Sequence, residues 1–198
     1  MRSIDFWFDF ASTYSYIAAM RIEDLCRDGG VALKWRPFVL GPIFQLQGWN
    51  DSPFNLNERR GAYMWRDLER LSAKFDLRWR RPSVFPRAST LAARVACSIG
   101  DEVWCGDFVR AVYSANFGDD LDISDEKILI GLLDGLGRDG ESIVKRALEP
   151  GRRGLLRANT ERAIELGIFG APNCVVGREL FWGEEALEDA ITWSQKEA

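Results

Sequence analysis

The sequence predicts an α/β fold in which a βαβ unit and a closing ββα unit enclose a long helical insert. Apolar and polar residues alternate with a period of two near both ends of the 198-residue chain, and apolar residues recur at helical spacing through the middle. A two-residue Gly-X turn between the last two strand-like runs predicts a hairpin. With 46% hydrophobic and 28% charged residues, the composition is that of an ordinary globular protein.

The opening of the chain predicts a strand, a helix and a second strand. Aliphatic and aromatic side chains fill the even positions of residues 4–10, and one helix follows from Tyr14, with Ser12 or Thr13 as its N-cap. Gly29-Gly30 ends that helix, and alternation resumes directly afterwards. Because such a crossover is right-handed, the two strands are predicted to be parallel.

The middle of the chain predicts an all-helical domain. A loop rich in Gly, Pro and aromatic residues, 41–53, leads into four amphipathic segments. Their apolar stripes span residues 64–75, 91–99, 104–112 and 128–136. Ser124 is the predicted N-cap of the fourth segment, and a last helix is predicted to begin near Gly154 and to end at Gly167.

Strands return near the carboxyl end. The runs "NCVV" and "ELFW" flank Gly177-Arg178, which is typical of a type II′ hairpin, and a helical stripe begins at Ala186. The order βαβ, helical insert, ββα is that of a thioredoxin-like fold interrupted by a helical domain. We therefore predict a thioredoxin-like domain of residues 1–40 plus 166–198 and an inserted helical domain of residues 41–165.

Two residue counts exclude familiar chemistry. The chain has no histidine, which rules out a Ser-His-Asp triad and any metal site that uses histidine. Its four cysteines form no C-x-x-C pair, which disfavours a redox dithiol or a zinc site, so no metal ligand is predicted. The cysteines are interpreted as small buried residues in a reducing compartment.

Charge and hydropathy indicate the expected partners and location. A net charge of −4 gives no electrostatic footprint for nucleic acid or for an anionic membrane. No apolar run approaches the ~20 residues that span a bilayer, and the amino terminus lacks the apolar core of a signal peptide. We expect a cytoplasmic protein with a small-molecule substrate.

The turn after the first strand is where a thioredoxin-like fold carries its C-x-x-C motif. Here it has Ser12-Thr13-Tyr14-Ser15, without a thiol. Ser12 lies where unpaired helix N–H groups favour an anion, although on this signal alone a plain N-cap is the favoured interpretation. Pro172, after the small residue Ala171 and before a strand, lies where such folds place a cis-proline, although spacing alone favours a trans bond.

Four motifs, in this order and spacing, resemble one family. They are "FDFASTYSY" (8–16), "YMWRDLERL" (63–71), "RRPSVFPRAST" (80–90) and "GIFGAPNCVVGRELFWG" (167–183). Together they make the chain similar to 2-hydroxychromene-2-carboxylate isomerases and kappa-class glutathione transferases, the glutathione-using branch of the DsbA-like thioredoxin superfamily. The resemblance implies a DsbA-like fold, glutathione as the cofactor, a homodimer and a role in the catabolism of aromatic compounds.

The resemblance also implies roles for individual residues. Ser12 matches the serine that activates the glutathione sulfur, and Ala171, before a cis Pro172, matches the residue whose backbone pairs with the cysteinyl part. Contacts to the γ-glutamyl end are implied for Trp182, Gly183, Glu184 and Glu185, and contacts to glutathione or the organic substrate for Asn55 and Arg60. Arg60 replaces the usual lysine. The family commonly has Gly-Asn-Asp-Arg or Gly-Ser-Asp-Arg where this chain has Gly183-Glu184-Glu185-Ala186, so a carboxylate survives but the arginine is absent.

The implied activity is a glutathione-dependent cis–trans isomerisation of 2-hydroxychromene-2-carboxylate or a related aromatic α-keto acid. A kappa-like glutathione transferase is the nearest alternative, because both reactions need the same activated thiolate. A non-catalytic thioredoxin-like binding module is a third reading, favoured by Glu184-Glu185-Ala186. A dithiol oxidoreductase ranks last, because neither end of the turn is a cysteine.

The substrate pocket is predicted only in outline. Aromatic candidates for a cleft between the two predicted domains are Phe44, Trp49, Phe54, Trp65 and Phe85. Arg60 or Arg87 could pair with a substrate carboxylate, although a solvated surface arginine is the simpler reading of each.

Overall fold

A computed structural model describes residues 2–196 and contains a four-stranded mixed sheet in the order β2-β1-β3-β4. The strands are β1 (Ser3–Phe8), β2 (Ala32–Pro37), β3 (Asn173–Val176) and β4 (Glu179–Trp182). β1 pairs with β2 in parallel and with β3 antiparallel, and β3 and β4 form the predicted hairpin. Gly177 has φ 59°, as the first residue of a type II′ turn requires. The predicted thioredoxin-like topology is confirmed.

The predicted single helix after β1 is wrong, because the chain forms two. They are α1 (Thr13–Ala19) and α2 (Ile22–Gly29). At the break, Arg21 turns its guanidinium over the ring of Phe75 and forms ion pairs with Glu184 and Glu188 near the carboxyl end. The sequence pattern could not indicate these long-range contacts, because the helical spacing of apolar residues continues without interruption past Arg21.

The middle of the chain contains helices and loops, and no strand is present in its described backbone between residues 41 and 165. The helices are α3 (Leu40–Leu46), α4 (Pro53–Leu56), α5 (Glu58–Lys74), α6 (Thr90–Ile99), α7 (Cys105–Phe117), α8 (Glu126–Gly135), α9 (Gly140–Leu148) and α10 (Pro150–Glu165), and α11 (Leu187–Lys196) follows the hairpin. The division into domains at residues 40 and 166 stays a prediction. Residues 1, 197 and 198 of that division lie outside the described residues.

Four details of the predicted insert are wrong. The supposed loop 41–53 contains α3, and α9 was not predicted at all. Asp125 rather than Ser124 caps α8, because the Asp125 carboxylate accepts the N–H of Lys127 at 2.8 Å. The last helix begins at Pro150, not near Gly154, since proline suits the first helical position.

The aromatic face of β1 packs against α7. The rings of Phe6, Phe8 and Phe10 follow one another along the strand, and that of Tyr113 lies 5.1 Å from Phe10 and 6.2 Å from Phe8. All four side chains are buried, in one apolar core that extends into the helices. This packing fixes the end of β1, from which the β1–α1 turn projects. Within residues 2–196, no helix has the length and apolar character needed to cross a membrane.

Candidate active site

A cleft of about 1370 Å³ opens beside the β1–α1 turn. Its walls come from that turn, the starts of α3 and α5, the loop before α6, and the two segments that flank the β3–β4 hairpin. The cleft is lined by eight of the nine predicted site residues: Ser12, Arg60, Ala171, Pro172, Trp182, Gly183, Glu184 and Glu185. The sequence-based site is thus one continuous surface, apart from Asn55.

Ser12 connects the turn to the segment before β3. Its hydroxyl accepts the N–H of Ser15 at 3.2 Å, which makes it the N-cap of α1, and donates to the carbonyl oxygen of Ala171 at 3.1 Å. The Ala171–Pro172 bond is cis, as predicted. Only 9% of Ser12 is exposed. The serine is therefore both a helix cap and a donor to the segment before Pro172, at the edge of the cleft.

The backbone of Ala171 is a second binding element. Its carbonyl accepts the Ser12 hydroxyl, while its N–H has no acceptor among residues 2–196. Next to it, the carbonyl of Pro172 accepts the N–H of Gly183 at 3.0 Å, which holds the two flanking segments together. An extended peptide-like ligand can pair with an edge of this kind, because it offers the missing acceptor.

The Gly183–Glu185 turn has two carboxylates in different surroundings, Glu184 buried and Glu185 exposed. Glu184 is 7% exposed and forms an ion pair with Arg21 at 2.8 Å; burial raises its pKa, and the guanidinium opposes that rise. Glu185 is exposed to the cleft, and no described cation pairs with it. Glu185 is therefore the carboxylate available to a ligand ammonium.

Arg60 projects from the first turn of α5, where the Asn57 side chain caps the helix. Arg59 beside it also lines the cleft, and both residues are exposed. Sequence reasoning missed Arg59. A signal was present, because two adjacent cations in a first helical turn oppose the helix dipole and need another reason to be there.

Asn55 does not line the cleft. Its amide group donates to the carboxylate of Asp51 at 3.1 Å and to the carbonyl of Phe85 at 3.2 Å. These bonds fasten α4 to the loop before α6. The structure therefore places Asn55 behind the wall of the cleft.

The apolar wall matches the prediction in part. Phe44, Trp49, Phe54 and Phe85 line the cleft. Trp65 does not, because it packs against Trp79 and Phe85 with the guanidinium of Arg81 over its ring. The wall can cover a planar aromatic ring.

Neither reading of Arg87 is correct. Its side chain is 5% exposed and is bound to Asp120 and to the Asn116 side chain, so it is neither a solvated surface residue nor free for a substrate carboxylate. The N–H of Ser83 and the Arg87 guanidinium lower the pKa of Asp120 to about 2. This cluster fixes the loop before α6.

Two further polar groups of the cleft were not predicted. Tyr14 donates its hydroxyl to Asp67 at 3.1 Å, and burial together with that carboxylate raises the pKa of Tyr14, so the phenol stays neutral. Asp9, directly after β1, is a buried carboxylate whose pKa is raised by burial. An aspartate inside an apolar run was the available signal for Asp9.

The four cysteines cannot supply the chemistry of this cleft. All four are free, none lines the cleft, and burial raises the pKa of Cys26, Cys97 and Cys105 to about 12. Burial raises the pKa of Cys174 as well. Among the described residues there is also no cluster of three or more potential metal ligands.

We expect the native thiols to resist modification. At pH 8 a disulfide reagent such as Ellman's reagent should react with none of the four within minutes, since three thiols are buried and the half-buried Cys97 also has a raised pKa. In denaturant the same reagent should count all four. Rapid reaction of one thiol in the folded protein would show a reactive cysteine that this structure does not contain.

Comparison with known proteins gives a consistent result. The model of the family described as "DSBA-like thioredoxin domain" matches residues 3–191 of this chain. A 2-hydroxychromene-2-carboxylate isomerase of Sphingobium xenophagum is 30% identical over 188 residues, covering 94% of this chain and 95% of that protein. A glutathione S-transferase kappa 1 of Caenorhabditis elegans is 26% identical over 178 residues, covering 85% and 78%. The solved structure of a 2-hydroxychromene-2-carboxylate isomerase superposes with a TM-score of 0.88 at 22% identity, covering 98% of this chain and 95% of that one.

Proposed function

This chain belongs to the DSBA-like thioredoxin domain family, in the branch of the 2-hydroxychromene-2-carboxylate isomerases and kappa-class glutathione transferases, and we propose that it is a glutathione-dependent cis–trans isomerase of an aromatic α-keto acid. One observation carries the proposal. A buried hydroxyl, that of Ser12, stands 3.1 Å from the backbone of Ala171 in a cleft that has no thiol of its own. In this proposal the reacting sulfur comes with a ligand.

The residues of the cleft fit glutathione. The unpaired N–H of Ala171 and its carbonyl can pair with the peptide of the cysteinyl residue, which places the sulfur beside Ser12. Glu185 faces the cleft as an acceptor for the γ-glutamyl ammonium. Glu184, whose carboxylate is taken by Arg21, instead fixes the turn that presents Glu185.

When bound, glutathione supplies a thiolate that can add reversibly to a conjugated carbon of the substrate, so that the double bond becomes single and rotates. The role of Ser12 is to turn its one O–H from the Ala171 carbonyl to that sulfur. A free thiol has a pKa of about 8.5, and lowering it by ~2 units corresponds to ~2.7 kcal/mol of preference for the anion. α1 is only seven residues long, so most of this preference falls to Ser12 and the first N–H groups of the helix.

The opposite side of the cleft is proposed to bind the organic substrate. Arg59 and Arg60 are exposed cations at its rim and suit a carboxylate, and Arg60 presents a planar guanidinium. The aromatic residues Phe54 and Phe85 offer flat apolar surface for a ring and exclude water from it.

The test is an isomerase assay with 2-hydroxychromene-2-carboxylate, followed by the absorbance change between the two isomers. We expect turnover that saturates with glutathione and disappears without it, while total glutathione stays constant. Turnover at the same rate without glutathione, or none with it, would contradict the proposal.

A kappa-like glutathione transferase is the second candidate, because the same Ser12 geometry activates the thiolate for conjugation. The two activities differ in stoichiometry. A transferase consumes one glutathione for each electrophile, such as chlorodinitrobenzene, whereas an isomerase returns it. A binding module without catalysis would bind glutathione and turn over neither substrate.

The assignment of Glu185 gives a prediction of its own. Glu185→Gln should weaken glutathione binding about 10-fold, because it removes the one free carboxylate at the ammonium position, and tenfold corresponds to ~1.4 kcal/mol. Glu179→Gln on the exposed hairpin, outside the cleft, should leave the Kd unchanged. Calorimetric titration of both variants measures the difference, and equal affinities would remove Glu185 from the site.

Location and assembly complete the proposal. Four free cysteines suit a reducing compartment, so we place the protein in the cytoplasm. A homodimer and a role in aromatic catabolism follow from the resemblance alone. Light scattering on the purified protein tests the first of these.

A further inference from the structure

Asp9 is the most deeply buried carboxylate among the described residues that line the cleft. Its side chain is 3% exposed, its Oδ1 accepts the N–H of Ala11 at 2.9 Å, and its Oδ2 accepts the N–H of Leu40 at 2.7 Å. Burial raises the pKa of Asp9, and the hydrogen-bond donors Ala11, Ser89 and Leu40 oppose that rise. No described cation pairs with Asp9. The carboxylate is therefore bound by neutral donors alone.

The main chain of Asp9 has two bonds of its own. Its carbonyl oxygen accepts the N–H of Ser12 at 2.9 Å and the hydroxyl of Tyr113, from α7, at 2.9 Å. The main chain of Asp9 thus holds the backbone of Ser12, while the Asp9 side chain bonds Leu40 at the start of α3.

The Asp9 side chain bonds the start of another wall of the cleft, α3, and Ser89 at the start of α6 also lines the cleft. Leu40 is the first residue of α3, and Val39, in the N-cap position, gives no side-chain bond. Ser89 occupies the N-cap position of α6, also without a side-chain bond. The Asp9 carboxylate accepts the N–H of Leu40 and so replaces the N-cap side chain that Val39 cannot provide. One carboxylate therefore joins the Ser12 turn to the start of α3 by hydrogen bonds.

We propose that Asp9 is a positioning residue for the reaction. It holds Ser12 at a fixed position relative to the side of the cleft that is proposed to bind the aromatic substrate. The inference rests on the proposed function, in which Ser12 acts on the bound thiol. Other charged groups do not substitute for it. α3 has no ionisable side chain, Arg87 near Ser89 is turned to Asp120, and the Tyr113 hydroxyl bonds the Asp9 main chain.

Asp9→Asn is the informative variant. The amide keeps one acceptor oxygen but places an NH₂ group against the N–H of either Ala11 or Leu40, so one of those bonds is lost. Leu40→Pro provides a second route, because it removes the N–H donor, and Leu40→Ala is its control for the apolar side chain that is lost at the same time. Proline suits the first helical position, and Val39 already has the extended backbone, φ −123° and ψ 132°, that a residue before proline adopts.

A double-mutant cycle with Ser12→Ala separates positioning from general structure. We expect Asp9→Asn to lower kcat/KM about 10- to 100-fold in the wild-type background and less than ~3-fold when Ser12 has been replaced. Leu40→Pro should show the same dependence on Ser12 with a smaller loss. Equal losses in both backgrounds would mean that Asp9 acts independently of Ser12, and the proposal would be overturned.

Amide hydrogen exchange in the free protein gives a reading that needs no turnover. In Asp9→Asn the N–H groups of Ser12 and Leu40 should exchange at least ~10-fold faster. Asp139→Asn, a matched change at the exposed cap of α9, should leave both rates unchanged. Unchanged rates in Asp9→Asn would overturn the inference. If faster exchange were found in a protein without glutathione-dependent turnover, the positioning of Ser12 would stand and the proposed function would fail.

Discussion

Ser12→Ala should lower glutathione-dependent turnover by ~10- to 150-fold while glutathione still binds. The substitution removes one hydrogen bond to a thiolate, a charge-assisted bond for which about 1.5–3 kcal/mol is typical. Binding survives because the N–H of Ala171 and the carboxylate of Glu185 remain in place, although the Ala171 carbonyl loses its bond from Ser12. The pKa of the bound thiol should rise in the variant, by an amount that corresponds to the same free energy. Thiolate absorbance in the ultraviolet measures this pKa.

A helix cap is lost in the same substitution, so stability needs its own control. Ser12 accepts the N–H of Ser15, and losing such a cap typically costs about 0.5–2 kcal/mol. Asp125→Ala removes a comparable cap from α8, away from the cleft. It should lower the Tm to a similar extent and leave turnover unchanged. If Ser12→Ala changed only the Tm, the serine would be a helix cap without a role on the sulfur.

Ser12 acts as a donor and not as a nucleophile in this account. A serine nucleophile needs an adjacent base, and the described carboxylate closest along the chain, Asp9, is occupied by the N–H groups of Ala11 and Leu40. The chain contains no histidine. A thiolate that arrives with a ligand needs only a donor, which is what the turn provides.

Local sequence signals were sufficient for the sheet and for the Ser12 turn. Alternation over residues 4–10, the Gly177-Arg178 turn and a hydroxyl at the strand–helix junction each depend on neighbours a few residues apart. The family resemblance added the cis bond before Pro172 and the segment 182–185, which meet Ser12 only in the folded chain.

The errors came from contacts between distant residues. The break of the first helix at Arg21 was missed because the partners of Arg21, Glu184 and Glu188, lie more than 160 residues away along the chain. Arg87 looked like a surface arginine because Asp120, which neutralises it, is far along the sequence. The acceptor that completes the start of α3 is the side chain of Asp9, so residues 41–53 gave no local sign of a helix.

The wall that carries Arg60 depends on a close approach of α4 to α5. Gly61, buried in the first turns of α5, has its α-carbon so close to the carbonyl oxygen of Phe54 that an added methyl group would overlap it. Phe54 lines the cleft, and its ring lies 6.1 Å from that of Tyr14. A larger residue at position 61 must therefore push α4, and the aromatic wall with it, away from the cleft.

Gly61→Ala should destabilise the protein by about 1–3 kcal/mol, although alanine favours a helix by ~1 kcal/mol over glycine, because the clash is with backbone that cannot rotate away. It should also raise KM for the aromatic substrate ~10-fold and leave glutathione affinity within twofold, since Ser12, Ala171 and Glu185 lie on other segments. Steady-state kinetics with each substrate varied in turn, together with thermal unfolding, measures both effects.

Two other glycines provide the controls for this experiment. Gly140→Ala would make the same kind of backbone clash with Ile130, between α8 and α9 and away from the cleft, so the Tm should fall while KM stays constant. Gly131→Ala has open space around it within α8 and should raise the Tm. A Gly61→Ala protein that behaved like Gly131→Ala would show that α4 does not lie against α5 as described. One that behaved like Gly140→Ala would show that this wall does not bind the substrate, because a lower Tm without a change in KM separates the packing of α4 from recognition of the aromatic ring.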